Sequence, residues 1–118
     1  MISGRIVLAA AAALAFGGLA EAADLGQGGQ CTLSGGSSLL SQPGNAALTD
    51  DVVRLMNEAV SVAEDPRWIN SRRPAFTWAS EAKAVCGIAY GYLKSDYRDE
   101  DSINKCECFH SRMVQYMN

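Results

Sequence analysis

The chain has 118 residues, of which 48% are hydrophobic and 19% charged, and its formal net charge is −3 at pH 7. This length suits one domain with a modest core. The acidic balance, with no Lys/Arg cluster beyond Arg72 and Arg73, argues against binding to nucleic acid or to an anionic membrane surface, since both require a basic footprint. It favours a cationic partner, because opposite net charges accelerate encounter.

The N-terminal segment has the parts of a secretory signal peptide. Arg5 precedes an apolar run at positions 6–19, and small residues surround Glu21 before Asp24. The run is too short to span a bilayer, which takes about 20 mostly apolar residues. We expect residues 1–23 to be a signal peptide, with cleavage after Ala22 or Ala23. Residues 24–118 should then form a single helical domain in the periplasm or outside the cell.

Residues 24–47 are expected to form an irregular, glycine-rich arm. Gly26, Gly28, Gly35 and the Pro43-Gly44 pair interrupt any regular pattern. Cys31 lies in this arm and would attach it to the body of the domain. In an oxidising compartment, the even number of cysteines predicts disulfides rather than free thiols.

A first helix is expected from about Asp50 to Glu64. Thr49 is a suitable N-cap, and acidic residues follow it in the first turn, where the helix dipole favours negative charge. Apolar residues then recur at helical spacing until Pro66 ends the helix. The connection at positions 66–74 has room for at most one short turn of helix. Trp68 within it is interpreted as a lid on the core.

A second helix is expected after Thr77, which can act as its N-cap. Its predicted apolar stripe includes Cys86, Tyr92 and Leu93. Gly87 and Gly91 lie one turn apart on one side of this helix. Because a glycine in a helix interior costs about 1 kcal/mol relative to alanine, their presence suggests that a neighbouring helix or the arm approaches closely there.

The last helix is expected to begin after a charged connection at positions 94–101, with Ser102 or Asp101 as its N-cap. Ile103, Phe109 and Met113 share one side of this helix with other apolar residues. No stretch shows the alternation of a strand. The sequence therefore predicts an all-α fold, a small disulfide-stapled bundle of three main helices with an irregular N-terminal arm.

The disulfide pairing is left with two alternatives. On a helix, Cys106 and Cys108 face directions about 200° apart, so each needs its own partner. The pairs are then Cys31–Cys106 with Cys86–Cys108, or Cys31–Cys108 with Cys86–Cys106. The positions of the cysteines along two adjacent antiparallel helices slightly favour the first pairing. The apolar faces of these helices favour the second.

Cys106, Cys108 and His110 also permit a metal-binding or thiol redox interpretation. Cys106 and His110 are four residues apart and share a helix face, as two ligands of zinc or copper would. Only one histidine is present, and disulfide formation would consume the thiols. We therefore expect no metal site, no cofactor and no catalytic residue, and expect His110 to be a packed or half-buried side chain.

The connection before the last helix is the strongest candidate for a protein interface. It combines aromatic and arginine side chains, which are common at the centre of interfaces, with carboxylates suited to a basic target. A solvated acidic turn is the plainer alternative. The predicted partner-binding residues are Asp96, Tyr97, Arg98, Asp99, Glu100 and Asp101.

Residues 84–93, with Cys86, Gly87, Tyr90 and Gly91, are similar to the Cys-x-Gly-Tyr-x-x-Gly helix of the Rap/Tai-type immunity proteins. The chain also resembles the PhiA type of periplasmic peptidoglycan-hydrolase inhibitors. The resemblance implies a small helical disulfide-containing protein that binds a cell-wall hydrolase, such as a strongly basic lysozyme-like enzyme or an amidase. A structural component of the cell envelope is the remaining alternative.

Overall fold

The structure, a computed structural model, describes Cys31 and residues 36–118. The expected signal peptide lies outside these residues, as do positions 24–30 and 32–35 of the expected arm. All regular structure in the described part is helical, which confirms the predicted all-α bundle with two disulfides. Its elements are a 3-10 turn at Leu39–Ser41, α1 (Asn45–Ala63), α2 (Pro66–Ile69), α3 (Ala75–Lys94) and α4 (Glu100–Met117).

Helix α1 begins a full turn before the predicted start. Gly44 is its N-cap, and the Leu48 N–H donates a hydrogen bond to the Gly44 carbonyl at 3.2 Å. The predicted cap Thr49 lies inside the helix, where its hydroxyl donates to the Asn45 carbonyl at 2.6 Å. The prediction of Thr49 as N-cap was wrong because Leu48 is fully buried, and packing it into the core requires the preceding turn to be helical.

Helices α3 and α4 also begin at residues other than the predicted caps. Pro74, rather than Thr77, is the N-cap of α3, and Ala75 directly after it is fully buried. Asp99, rather than Asp101 or Ser102, caps α4, because its carboxylate accepts a hydrogen bond from the Ser102 N–H at 3.0 Å. Ser102 is itself buried. The short helix α2 confirms the single turn expected in the connection.

Helix α3 lies at the centre of the bundle and packs against both α1 and α4. Its buried face is rich in alanine, which lets the neighbouring helices approach closely. Trp78 contacts Phe109 of α4 with ring centroids 5.7 Å apart, and Trp68 packs against the edge of the core. The core is completed by Leu48, Val52, Leu55, Ala79, Ala82, Ala89, Ile103 and Met113.

The two disulfides lie on different sides of α4. Cys86 and Cys106 join α3 to α4 inside the core, with Cα atoms 4.6 Å apart. Cys31 and Cys108 join the arm to the other side of α4, with Cα atoms 5.7 Å apart. Of the two alternative pairings, the structure has Cys31–Cys108 with Cys86–Cys106, which is the one favoured by the apolar faces of the helices. Cys106 is fully buried toward α3, which leaves Cys108 facing the arm.

Candidate protein-binding surface

The connection between α3 and α4 has a well-defined backbone conformation. Asp96 has a positive φ of 58°. The Asp96 N–H donates to the Leu93 carbonyl at 2.9 Å, and the Tyr97 N–H donates to the Tyr92 carbonyl at 3.0 Å. These two bonds form a Schellman motif, which satisfies the last carbonyls of a helix and stops it. Asp is one of the few residues besides glycine that tolerate this left-handed conformation.

The Schellman motif places two tyrosines side by side at the surface. The rings of Tyr92 and Tyr97 meet edge to face, with centroids 5.4 Å apart. Tyr92 remains 44% exposed and Tyr97 57% exposed. The sequence interpretation that assigned Tyr92 to the apolar stripe was wrong. The helical wheel contains the signal that was missed, because Tyr92 lies about 100° from Leu93, which is at the centre of the buried face.

Asp96 and Arg98 bind the body of the domain. The Asn45 side-chain amide donates to Asp96 Oδ1 at 2.8 Å, while its oxygen accepts from Arg98 Nε at 3.1 Å. The Arg98 guanidinium also donates to the Leu40 carbonyl at 3.3 Å. These bonds hold the connection against the start of α1. Sequence reasoning did not identify Asn45 as the residue that organises this contact.

The remaining acidic residues of the connection divide into two groups. Asp99 is engaged as the α4 cap, whereas Glu100 and Asp101 are exposed on the first turn of α4. The Asp101 carboxylate accepts a hydrogen bond from Lys105 Nζ at 2.8 Å in an exposed pair. Glu100 and Asp101 are therefore the carboxylates of this segment that a partner could reach most directly. They lie at the same end of the bundle as Tyr97.

The outer face of α3, opposite the core, adjoins the tyrosine pair. Ile88 on this face is 55% exposed. A Cβ atom added at Gly87 or Gly91 would meet nothing within 4 Å. Within the described residues, the expected close approach of a neighbouring helix or the arm to these glycines is therefore wrong. None of the described residues covers the outer face of α3 there.

The residues of the metal or redox alternative are engaged elsewhere. Cys106 and Cys108 are both in disulfides, so neither sulfur is a thiolate ligand or nucleophile. His110 is 13% exposed, and its Nε2 lies 2.5 Å from Glu58 Oε2. Across the described residues, no three His, Cys, Asp or Glu side chains are grouped closely enough to hold a metal ion.

Glu107, between the two cysteines of α4, binds the arm. Its carboxylate accepts hydrogen bonds from the Ser37 hydroxyl at 2.5 Å, from the Ser38 hydroxyl and from the Leu39 N–H at 3.2 Å. Burial alone would raise the pKa of this carboxyl, but the hydrogen bonds from Ser37, Ser38 and Leu39 outweigh it, so the pKa lies below its ordinary value. No motif or periodicity in the sequence marks Glu107 for this role.

A groove of about 500 Å³ lies between the C-terminal halves of α1 and α4. Its floor is apolar and includes Val62 and Met113. The carboxylate of Glu58 on its rim already pairs with Arg54 and His110. Among the described residues that line this groove, none carries an unpaired charge. Glu100 beside the tyrosine pair forms no ion pair with a described residue, so the tyrosine pair with its adjacent carboxylates is the stronger candidate site.

None of the helices in the described part of the chain is long and apolar enough to cross a membrane. Two disulfides are typical of proteins in an oxidising, extracytoplasmic environment. Comparisons of the chain with models of protein families, with curated proteins and with solved structures found no match.

Proposed function

We propose that this protein acts in the periplasm, after removal of its signal peptide, as an inhibitor of a peptidoglycan-cleaving enzyme. The target would be a lysozyme-like muramidase, a lytic transglycosylase or an amidase. In this proposal the chain is not an enzyme but covers the active-site cleft of one. The observation that carries the proposal is the half-exposed pair Tyr92 and Tyr97, held in place beside the exposed carboxylates of Glu100 and Asp101.

The tyrosine pair supports a binding role because its geometry is fixed before any partner arrives. Tyr97 follows a left-handed residue and packs on Tyr92, and neighbouring side chains hold the connection to α1. Tyrosines are frequent hot-spot residues, and a preorganised aromatic loses little conformational freedom on binding. Tyr97 is therefore the expected anchor of the interface.

The carboxylates support a basic target. Rim charges act mainly on the rate of encounter with an oppositely charged protein. Because Asp96, Arg98 and Asp99 bind within the domain, we assign them the role of shaping the connection. Glu100 and Asp101 are assigned to steering.

The experiment is an inhibition assay with the exported, oxidised protein. Release of soluble fragments from purified peptidoglycan is measured with one muramidase, one lytic transglycosylase and one amidase. We expect saturable inhibition of at least one class at a ratio near one inhibitor per enzyme. Failure to bind or inhibit any of the three classes would refute the proposed function.

Two tyrosine variants test the location of the interface. Tyr97→Ala should weaken inhibition about tenfold or more, through faster dissociation, if Tyr97 is an anchor. Tyr116→Ala, in the last turn of α4 at the opposite end of the bundle, is the matched control and should inhibit like the unchanged protein. Equal inhibition by both variants would remove the connection from the interface.

A further inference from the structure

The outer face of α3 carries two glycines, an exposed isoleucine and two charged side chains that do not contribute to packing among residues 36–118. We propose that this face is a self-association surface, on which two copies of the chain pack with their α3 helices parallel. The occupant is thus a second copy of this protein. The proposal does not depend on the identity of any hydrolase, since it concerns α3 positions outside the tyrosine pair and a different measurement.

The glycines are the first observation behind this proposal. Gly87 and Gly91 lie in the interior of α3, where glycine is less favourable than alanine because it loses more backbone freedom on folding. Within the part of the chain that the structure describes, each would accept a Cβ with nothing within 4 Å, so packing among these residues does not require glycine at either position. A helix from another molecule could approach the backbone closely there.

The apolar surface beside these glycines is the second observation. Ile88 is 55% exposed, whereas Tyr92 of the tyrosine pair lies about 100° from Gly91 and outside this surface. Positions 84, 87, 88 and 91 lie within a sector of about 100° on the helix. Small residues in the middle of this sector and Ile88 near its edge give a shallow surface that two helices could share.

The charges on either side of the glycines favour a second copy of the chain as the binding partner. Glu81 and Lys83 are both exposed and lie about 80° to either side of Gly91. Within the described residues, neither side chain forms a hydrogen bond or an ion pair. A two-fold axis parallel to α3 brings the Glu81 edge of one copy against the Lys83 edge of the other, at nearly the same height.

The opposite arrangement lacks this complementarity. An antiparallel pair brings each edge against the same edge of the other copy, so Glu81 would not meet Lys83. The parallel pair also places the two acidic connections at one end of the dimer. Raising the salt concentration would weaken the Glu81–Lys83 pairs but also relieve repulsion between those connections. Charge reversal is therefore a sharper test than salt.

The first experiment measures the oligomeric state of the exported, oxidised protein by sedimentation velocity. A range of about 5 to 500 µM is appropriate, because a single helix pair is at the small end of interface sizes. We expect a reversible monomer–dimer equilibrium. A protein that stays monomeric over the whole range would overturn the proposal.

Gly87→Ala and Gly91→Ala separate self-association from internal packing. Each should weaken dimerisation on the order of tenfold while leaving the melting temperature, measured at a concentration where the protein is monomeric, equal or higher. Unchanged dimerisation would contradict the proposal. A lower melting temperature of the monomer would also contradict it, because it would show that the glycines serve the fold of one copy.

Charge reversal tests the parallel arrangement. Glu81→Lys and Lys83→Glu should each weaken the dimer, and the two changes together should restore it, because the swapped charges again pair across the interface. Glu64→Lys, in the connection after α1, is the control and should leave the equilibrium unchanged. Failure of the double variant to recover would overturn the parallel pairing.

Discussion

At the scale of single residues, Glu107 shows how one carboxylate fixes a segment that lacks regular structure. It lies on α4 between two cysteines and binds Ser37, Ser38 and Leu39, about seventy positions earlier in the chain. Together with the Cys31–Cys108 disulfide, it attaches the arm at two points on α4. Sequence patterns predict helices from local periodicity, but a contact over such a separation leaves no periodic signal. Sequence periodicity alone therefore does not mark Glu107 as a residue that contacts the arm.

Glu107→Gln should destabilise the domain by about 1 to 2 kcal/mol at neutral pH, because hydrogen bonds to a charged acceptor are replaced by weaker ones. Since the pKa of Glu107 is lowered in the folded protein, its contribution is fully present above the unfolded value and is lost as pH falls through the lower folded value. The difference between the two proteins should therefore shrink below pH 4.5.

Denaturant unfolding at pH 7 and at pH 3, with the disulfides intact, measures this difference. Glu64→Gln is the matched control, because Glu64, directly after α1, is exposed without a side-chain hydrogen-bond partner in the described residues. We expect Glu64→Gln to change stability little at either pH. A difference for Glu107→Gln that is equal at the two pH values would contradict the role assigned to the carboxylate.

His110 is a second residue with a specific expected outcome. It is almost buried and contacts Glu58 on α1. His110→Gln should cost at most about 1 to 2 kcal/mol through loss of that hydrogen bond, and function should be nearly unchanged. Elemental analysis of the purified protein provides the check. Stoichiometric zinc or copper that disappears in this variant would restore the metal-binding interpretation.

At the scale of elements, the sequence predicted the three main helices but not where each begins. Helix periodicity is repeated over several turns, so the existence of α1, α3 and α4 was predictable from their apolar residues. Where a helix begins depends on which one of several nearby residues acts as its N-cap. For α1 and α3, the burial of Leu48 and Ala75 moved the start earlier than the nearest threonine. For α4, the carboxylate of Asp99 reached the Ser102 N–H.

The end of α3 gives a testable case of such a local choice. Asp96 combines a left-handed backbone with a hydrogen bond from Asn45. Asp96→Ala should lower the free energy of unfolding by about 1 to 2 kcal/mol, because the left-handed conformation is unfavourable for alanine and the hydrogen bond from Asn45 is lost. Asp96→Asn should remain close to the unchanged protein, because asparagine tolerates this conformation and its oxygen can accept the same bond.

Thermal unfolding of the two Asp96 variants distinguishes these contributions, and Asp96→Gly adds a third comparison. Glycine removes the conformational cost but also the hydrogen bond, so it should fall between the other two. Equal stability of the alanine and asparagine variants would show that neither the backbone conformation nor the Asn45 contact stabilises this connection.

At the scale of the whole molecule, the structure decides the disulfide pairing, for which the sequence allowed two alternatives. The residues alone showed that Cys106 and Cys108 need different partners but not which partners they take. That choice depends on the packing of α3 against α4, which places Cys86 against Cys106. The pairing was thus limited to two alternatives by helix geometry and decided by the core.

Cleavage of the unreduced, denatured protein after glutamate tests this pairing directly. The glutamates at positions 58, 81, 100 and 107 place the four cysteines in four different peptides. The structure predicts that the peptide containing Cys31 is linked to residues 108–118, and that residues 82–100 are linked to residues 101–107. Mass spectrometry of the linked peptides would contradict the structure if it found the alternative pairs, and free thiols would contradict both.

The acidic connection before α4 and the tyrosine pair lie at one end of the bundle. Arg67, Arg72 and Arg73 lie in the connection at the other end. The sequence predicted the acidic connection but could not separate its structural residues from its accessible ones. That separation matters for any test of binding, because changing Asp99 would remove the α4 cap as well as a charge.

The most direct test of the proposed interface is the association rate constant with an inhibited hydrolase, measured over a range of salt concentrations. The protein is compared with the variant Glu100→Gln, Asp101→Asn, which leaves the Asp99 cap intact. We expect the variant to associate more slowly and with a weaker salt dependence, while its dissociation rate stays nearly unchanged. An association rate and salt dependence equal to those of the unchanged protein would contradict the claim that this end of the molecule meets a basic partner.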